Sequence, residues 1–229
     1  MEKKVFINID KNRNTSAIIN LPLSKGCFSG FVFVIAHGSS NDKNHELIKG
    51  VSEIYSLNGA KTIRFNFLFR EENKFSGDIK KDNSLTYLKV FEYAKSRLAS
   101  KNDFVFACGK SLGAKVGAEL ISSKLIFPHG FISFGYPLHS KSCFLNLKLD
   151  PLKNIFVPSI FFTGEFDPLC KKELLSRGLA ELKINSKIYL IKNADHGLGI
   201  DKKYTSSIFK EIYKASLEWI NSWIIKKQI

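Results

Sequence analysis

The sequence predicts an α/β fold, a mostly parallel doubly wound sheet with helices on both faces and no cap domain, on three observations. Short apolar runs alternate with amphipathic stretches along nearly the whole chain. Several runs are apolar at every position, which suits strands buried on both faces better than strands with one wet side. A chain of 229 residues that is 44% hydrophobic, with 20 Phe against one Met, has the apolar mass for a single domain over residues 1–229. No repeat, low-complexity tract or Pro/Ser linker divides it.

The elements follow in order. Residues 5–9 and 16–21 read as short antiparallel strands at the sheet edge, with the polar residues 10–14 turning between them. Residues 31–36, Phe-Val-Phe-Val-Ile-Ala, form a continuous apolar strand. Residues 44–58 read as a helix ended by Gly59, and 61–66 as the next strand. Residues 67–81 read as a charged loop. Residues 82–100 read as a long helix with Leu85, Leu88, Phe91 and Leu98 facing inward. The buried strand 104–108 leads through a tight turn into a helix over 112–125, whose Leu112, Val116, Leu120 and Ile121 recur at helical spacing. Strands follow at 131–134, at 159–163 behind Val157-Pro158, and at 187–191. A helix near 171–182 and a closing helix over 204–225 complete the alternation. Open sheets of this kind place their sites beyond the carboxyl ends of the strands.

Composition excludes several function classes. The net charge is +14, which by itself suggests a nucleic acid or an acidic membrane surface. The basic residues, however, are 30 Lys and five Arg scattered in ones and twos, without the Arg forks and clustered aromatics of nucleic-acid readers. Lysine over arginine, with abundant Asn and Ile, is the bias of an AT-rich genome. No nucleic-acid partner is expected. Cys27, Cys108, Cys143 and Cys170 have no C-x-x-C spacing and read as reduced thiols, without a disulfide frame or a metal site. The first residues carry no apolar run behind their lysines, and 31–36 is too short to span a bilayer. The expectation is a soluble, cytoplasmic protein with no membrane span; its oligomeric state is open.

Three strand ends carry chemistry. Ser111 lies in Gly109-Lys110-Ser111-Leu112-Gly113, a G-x-S-x-G turn with a strand before it and a helix after it. Such a turn pushes the hydroxyl into an open site, and the glycines leave it room. Asp167 follows the strand at 159–163, in Gly164-Glu165-Phe166-Asp167-Pro168. His196 follows the last strand, in Asn193-Ala194-Asp195-His196-Gly197. A serine needs a base, imidazole titrates near neutrality, and a carboxylate behind it fixes the tautomer. Asp195 is the competing acid, ranked lower because neighbouring side chains usually diverge. Lys110 invites a Ser–Lys reading, set aside on the same ground. The loop His37-Gly38-Ser39-Ser40 follows the strand 31–36. With the Leu112 amide, its Gly38 or Ser39 is the expected oxyanion hole, and His37 is expected to orient the loop.

These residues resemble the α/β-hydrolase superfamily, whose chain order Ser, Asp, His they share. More narrowly, they resemble a small capless dienelactone-hydrolase-like branch, which includes testis-expressed protein 30 and a domain in the NSL histone acetyltransferase complex. The segments that carry the narrower likeness are His37-Gly38, Arg64-Phe65-Asn66-Phe67, the Ser111 pentapeptide, Gly135-Tyr136-Pro137-Leu138-His139, the Asp167 segment and Asp195-His196. They span about residues 30 to 200. The chain departs from the branch at Leu68, where Pro is common, and at Leu112-Gly113-Ala114, where Met-Gly-Gly is common. Dienelactone hydrolases proper carry cysteine where this chain has Ser111, so their substrate does not carry over.

The resemblance implies a serine hydrolase acting on small or exposed esters or thioesters through an acyl-enzyme, with no cofactor and no metal. The stretch from Pro137 to Pro158 is too short for a helical cap, so an open, shallow site is expected. Phe69, Phe75, Tyr136, Leu138 and His139 are its candidate walls. Two alternatives stay open: an interaction module on the same fold, and an acyltransferase with the same triad.

Overall fold

The computed structural model describes residues 1–72 and 80–224. Eight strands form one sheet: β1 (Glu2–Asn8), β2 (Asn14–Asn20), β3 (Phe31–Ala36), β4 (Lys61–Phe65), β5 (Phe104–Lys110), β6 (Gly130–Phe134), β7 (Ser159–Gly164) and β8 (Ser186–Ile191). Their order is β1-β2-β4-β3-β5-β6-β7-β8. β1 pairs antiparallel with β2 and β2 antiparallel with β4, while the other neighbours are parallel. The helices are α1 (Glu46–Leu57), α2 (Leu68–Glu71), α3 (Lys80–Tyr93), α4 (Leu112–Ser122), α5 (Lys172–Glu181) and α6 (Ser206–Ile224).

Alternation along the strands builds two cores. Val34, Ala107 and Phe161 face one side and pack under α3, α4 and α5, with Val90, Val116, Leu120 and Leu175. Phe33, Phe106 and Ile160 face the other and pack under α1 and α6, with Val51, Tyr55, Ile212 and Trp219. The all-apolar strand sequences are thus explained: both faces of the central strands are covered. β3 and β5 lie side by side in the middle, so the loops leaving their carboxyl ends are neighbours.

The structure departs from the sequence reading in two places. Within the segment 67–81 the chain makes the short helix α2; residues 73–79, and with them Phe75, lie outside the described residues. The inner face of α3 is turned relative to the expected one. Asn83, Thr86, Tyr87, Val90 and Phe91 are buried, whereas Leu85, Leu88 and Leu98 are half-buried and pack at its margin. Tyr87 is fully buried because its hydroxyl donates to the Cys108 carbonyl at 2.9 Å and the Val34 carbonyl at 3.3 Å, which offsets the cost of burying it. The last turn, Ala94–Leu98, is π-helical.

Between β6 and β7 the chain makes a short 3-10 turn, Asp150–Leu152, and no cap helix. Cys108 and Cys170 are buried and Cys27 and Cys143 exposed, all as free thiols. Among the described residues, no helix is long and apolar enough to cross a membrane.

Candidate active site

β5 ends in the turn that carries Ser111. The serine sits at φ 50°, ψ −108°, a region that non-glycine residues rarely occupy, at a cost of roughly 1–3 kcal/mol. Its N–H donates to the Phe134 carbonyl at 3.1 Å, and its carbonyl accepts from Lys115 N at 3.0 Å. The flanking glycines are needed for space. A Cβ on Gly109 would lie 2.2 Å from the Gly113 carbonyl carbon, and one on Gly113 would lie 2.7 Å from the Ala36 Cβ. The end of β3, the turn and α4 therefore close on one another only with hydrogen at both positions. Leu112 is the first residue of α4, so its amide has no intrahelical acceptor.

The loops after β7 and β8 bring Asp167 and His196 to this serine. His196 Nε2 lies 2.9 Å from Ser111 Oγ, and Nδ1 lies 3.0 and 2.9 Å from the two Asp167 oxygens. The Asp167 side chain is fully buried, and that of His196 is 18% exposed. An ionised carboxylate only accepts hydrogen bonds, so Nδ1 carries the ring proton and Nε2 is left as an acceptor facing the serine hydroxyl. The Leu169 amide donates to Asp167 Oδ1 at 2.8 Å and holds the carboxylate in place. Asp195 turns elsewhere. Its Oδ1 accepts from Gly197 N at 2.7 Å and Gly199 N at 3.3 Å, shaping the loop that presents His196.

The loop after β3 stands on the other side of Ser111. A Cβ on Gly38 would lie 3.5 Å from Ser111 Cβ. His37 is fully buried against Phe67 and Phe69. Its Nε2 accepts from the Phe67 amide at 3.0 Å, so Nδ1 donates to the Gly38 carbonyl at 2.7 Å. Burial pushes its pKa down to about 4, which keeps the ring neutral and this bonding pattern intact. The Asn41 amide also donates to the Gly38 carbonyl, at 3.2 Å. Because the peptide is trans, the Ser39 N–H points away from these partners. Arg70 of α2 donates to the Asn41 carbonyl at 2.7 Å and the Ser39 carbonyl at 3.3 Å.

Lys110, beside the serine, is 7% exposed, and its Nζ donates to Asn41 Oδ1 at 3.1 Å. Burial pushes this ammonium's pKa below the usual lysine value, and Asp195 and Asp167 act in the opposite sense. A cavity of about 340 Å³ opens along the same loop, lined by Ser40, Asn41, Asp42, Asn44, His45 and Arg70. Another, of about 610 Å³, lies beside the Asp167 loop, where Phe166 is exposed.

The structure brings Ser111, Asp167, His196, Leu112 and Gly38 together and leaves Ser39 exposed at the rim. The expected walls lie behind it. Phe69, Tyr136, Leu138 and His139 are each at most 1% exposed. The Tyr136 hydroxyl donates to the Lys148 carbonyl at 2.9 Å, and His139 Nε2 accepts from the Lys171 amide at 3.0 Å. They present almost no surface to a ligand and brace the loops around it instead. Asn41 and Arg70 were missed by the sequence reading. Arg70 lies in the segment read as irregular, and nothing in the spacing of either residue marks it.

The comparisons agree with this architecture. A model of the alpha/beta hydrolase domain family matches residues 29–224. Among solved structures, the chain is similar to a serine hydrolase without a lid from Xanthomonas campestris, at TM-score 0.76 and 15% identity, over 97% of this chain and 94% of that one. It is similar to an alpha-beta serine hydrolase homologue from Coxiella burnetii, at TM-score 0.74 and 15% identity, over 94% and 96%. A dienelactone hydrolase from Anabaena variabilis aligns at TM-score 0.74 and 13% identity, over 97% of each chain. At these identities the structural likeness speaks to the fold, while the family match spans most of the chain: this protein belongs to the alpha/beta hydrolase domain family.

Proposed function

We propose that this member of the alpha/beta hydrolase domain family is a serine hydrolase that cleaves carboxylic esters or thioesters through an acyl-enzyme on Ser111. The observation that carries the reading is the continuous relay from Ser111 Oγ through His196 to a fully buried Asp167, with each contact at 2.9–3.0 Å. In this reading Ser111 Oγ attacks the acyl carbonyl while His196 Nε2 takes its proton. Asp167 holds the imidazolium in place. The oxyanion of the tetrahedral intermediate accepts from the Leu112 amide and from an amide of the Gly38–Ser39 loop; one such donor contributes about 3–4 kcal/mol to the barrier. The intermediate collapses, the carbon–oxygen or carbon–sulfur bond breaks, and His196 returns its proton to the leaving alcohol or thiol. A water molecule, deprotonated by the same histidine, then releases the carboxylic acid and restores Ser111.

Esters and thioesters are favoured over amides because their leaving groups are expelled more easily. The short stretch between β6 and β7, which holds one 3-10 turn and no α-helix, supports small or surface-exposed substrates over long chains that need a covered tunnel. Labelling with a fluorophosphonate probe tests the reading: the wild type is expected to label and Ser111→Ala not to. A folded wild type that fails to label refutes the reading and favours the interaction-module alternative. Product analysis with competing alcohols separates hydrolysis from acyl transfer.

A further inference from the structure

Lys110 is the charged group nearest the nucleophile in sequence, and the acyl-enzyme chemistry leaves it without a part. Taking an ammonium out of water costs several kcal/mol, and Lys110 is 93% buried, since 7% of it is exposed. Among the described residues no ion pair compensates it; Asp195 and Asp167 act on it from longer range. An apolar side chain of the same length would fill the space without that cost. Its position explains the charge. A Cβ on Gly38 would lie 3.5 Å from Lys110 Nζ, 3.5 Å from Ser111 Cβ and 3.1 Å from Asn41 Oδ1. The ammonium, the Asn41 side-chain oxygen and the nucleophile thus flank the same glycine, which on the hydrolase reading belongs to the loop facing the oxyanion.

We infer that Lys110 is a positioning residue of the acyl-transfer site. Its ammonium fixes the Asn41 side chain, and through it the 38–41 loop that donates to the oxyanion, while setting a positive charge beside that oxyanion. The inference rests on the hydrolase reading above. Arg70 supports it from the far side, because its guanidinium holds the backbone of the same loop through the Ser39 and Asn41 carbonyls. Two cations on one four-residue loop, one on its side chain and one on its backbone, hold it rigid and bias its potential. The groups facing Lys110 are Asn41, His45 at the start of α1, and Asp167 and Asp195 from the loops after β7 and β8.

The test is steady-state hydrolysis of p-nitrophenyl acetate from neutral to alkaline pH by the wild type, Ser111→Ala, Lys110→Met, Lys110→Arg and Asn41→Ala, with a thermal melt of each. Lys110→Met is expected to lower kcat about 10- to 100-fold with KM changed less than about threefold. Lys110→Arg, which keeps the charge and reaches Asn41, is expected to recover most of the rate. Asn41→Ala is expected to lower kcat in the same sense. As pH rises through the depressed pKa of Lys110 the ammonium is lost, so wild-type kcat is expected to fall on the alkaline side and the Lys110→Met profile to stay flat there. If Lys110→Met does not fold, the alkaline limb of the wild type and the kcat of Asn41→Ala and Lys110→Arg decide.

Wild-type kcat in Lys110→Met or in Asn41→Ala overturns the inference alone. So does an arginine variant as impaired as the methionine one, because then the charge is not what matters. A folded wild type with no more activity than Ser111→Ala overturns the hydrolase reading, and the inference falls with it.

Discussion

Two loops leave the carboxyl ends of parallel strands on either side of Ser111, and they are built in opposite ways. The loop after β3, His37 to His45, is pinned from three directions: by the buried His37 ring, by Arg70 of α2 and by Lys110 of β5. The loop after β6, Gly135 to Leu149, is tied at its base and exposed at its tip. At the base, Gly135 adopts φ +65° and makes room for the His196 carbonyl, which a Cβ there would approach to 2.4 Å. Lys148 N–H donates to the Leu138 carbonyl at 2.6 Å, closing the neck. Beyond it residues 140–146 are exposed, Leu145 at 97%, and the Lys171 ammonium sits 4.1 Å over the Phe144 ring. The contrast teaches a division of labour. On the proposed reading the β3 loop meets a developing charge, and such groups are best held before the reaction begins, since reorganising them would add to the barrier. On the same reading an exposed tip such as that of the β6 loop would be the side left to meet the variable part of a substrate, where adaptability is a gain.

Substitutions at the fixed side should break the chemistry, and the largest effect is expected in the relay. Asp167→Asn should lower kcat about 10⁴-fold by presenting the wrong tautomer, measured with the same ester substrate. Asp195→Asn should cost far less, because Asp195 only shapes the His196 loop; an equal loss would move the acid role to Asp195. Next comes the elbow. Gly109→Ala drives a methyl into backbone and should destabilise the fold by roughly 3 kcal/mol or more, read as a fall in melting temperature. If it melts like the wild type, the turn has room for a methyl that its contacts deny.

The rigidity of the β3 loop also carries a pH signature. The pKa of His37 is about 4 in the folded chain against an ordinary 6.5. Below 6.5 the unfolded chain takes up a proton that the folded chain refuses, so stability is full above 6.5 and declines as pH falls toward 4. The expected loss is on the order of 3 kcal/mol. His45, also lowered to about 4 by burial, adds to it with the same sign. Melting His37→Asn beside the wild type across that range separates the two: the variant's curve should be flatter. The smallest effect is expected at the exposed tip. Leu145→Ser should leave stability within about 0.5 kcal/mol and kcat unchanged, while shifting the relative KM of short and long acyl esters. A fall in kcat instead would make the tip part of the fixed machinery and end the contrast.

The sequence made the strand ends legible because each carries a short, chemically unusual segment after a run that can only be a buried strand. What it concealed is burial of polar groups. Of the expected inner residues of α3, Phe91 is buried but Leu85, Leu88 and Leu98 are not, while Tyr87 is fully buried, since strand carbonyls of Cys108 and Val34 accept its hydroxyl. Tyr136 and His139, expected as walls of an open site, instead have backbone partners on Lys148 and Lys171 that draw them inside. Lys110 diverges from Ser111, as neighbouring side chains on a turn do, but nothing in its spacing shows that its ammonium turns inward to Asn41. In each case the deciding partner is distant in the chain, and hydropathy patterns register no such partner.

The packing of α6 has an optical consequence. The chain has two tryptophans, Trp219 and Trp223, with ring centroids 5.8 Å apart on that helix, against Phe106 and Phe104. Indole emission therefore reports one face of the sheet. A species in which α3, α4 and α5 have loosened while α6 stays docked would keep a native spectrum, and with it a native-looking fluorescence melt. It would already have lost the helix that follows Ser111, so on the proposed reading activity would fade before the emission moved.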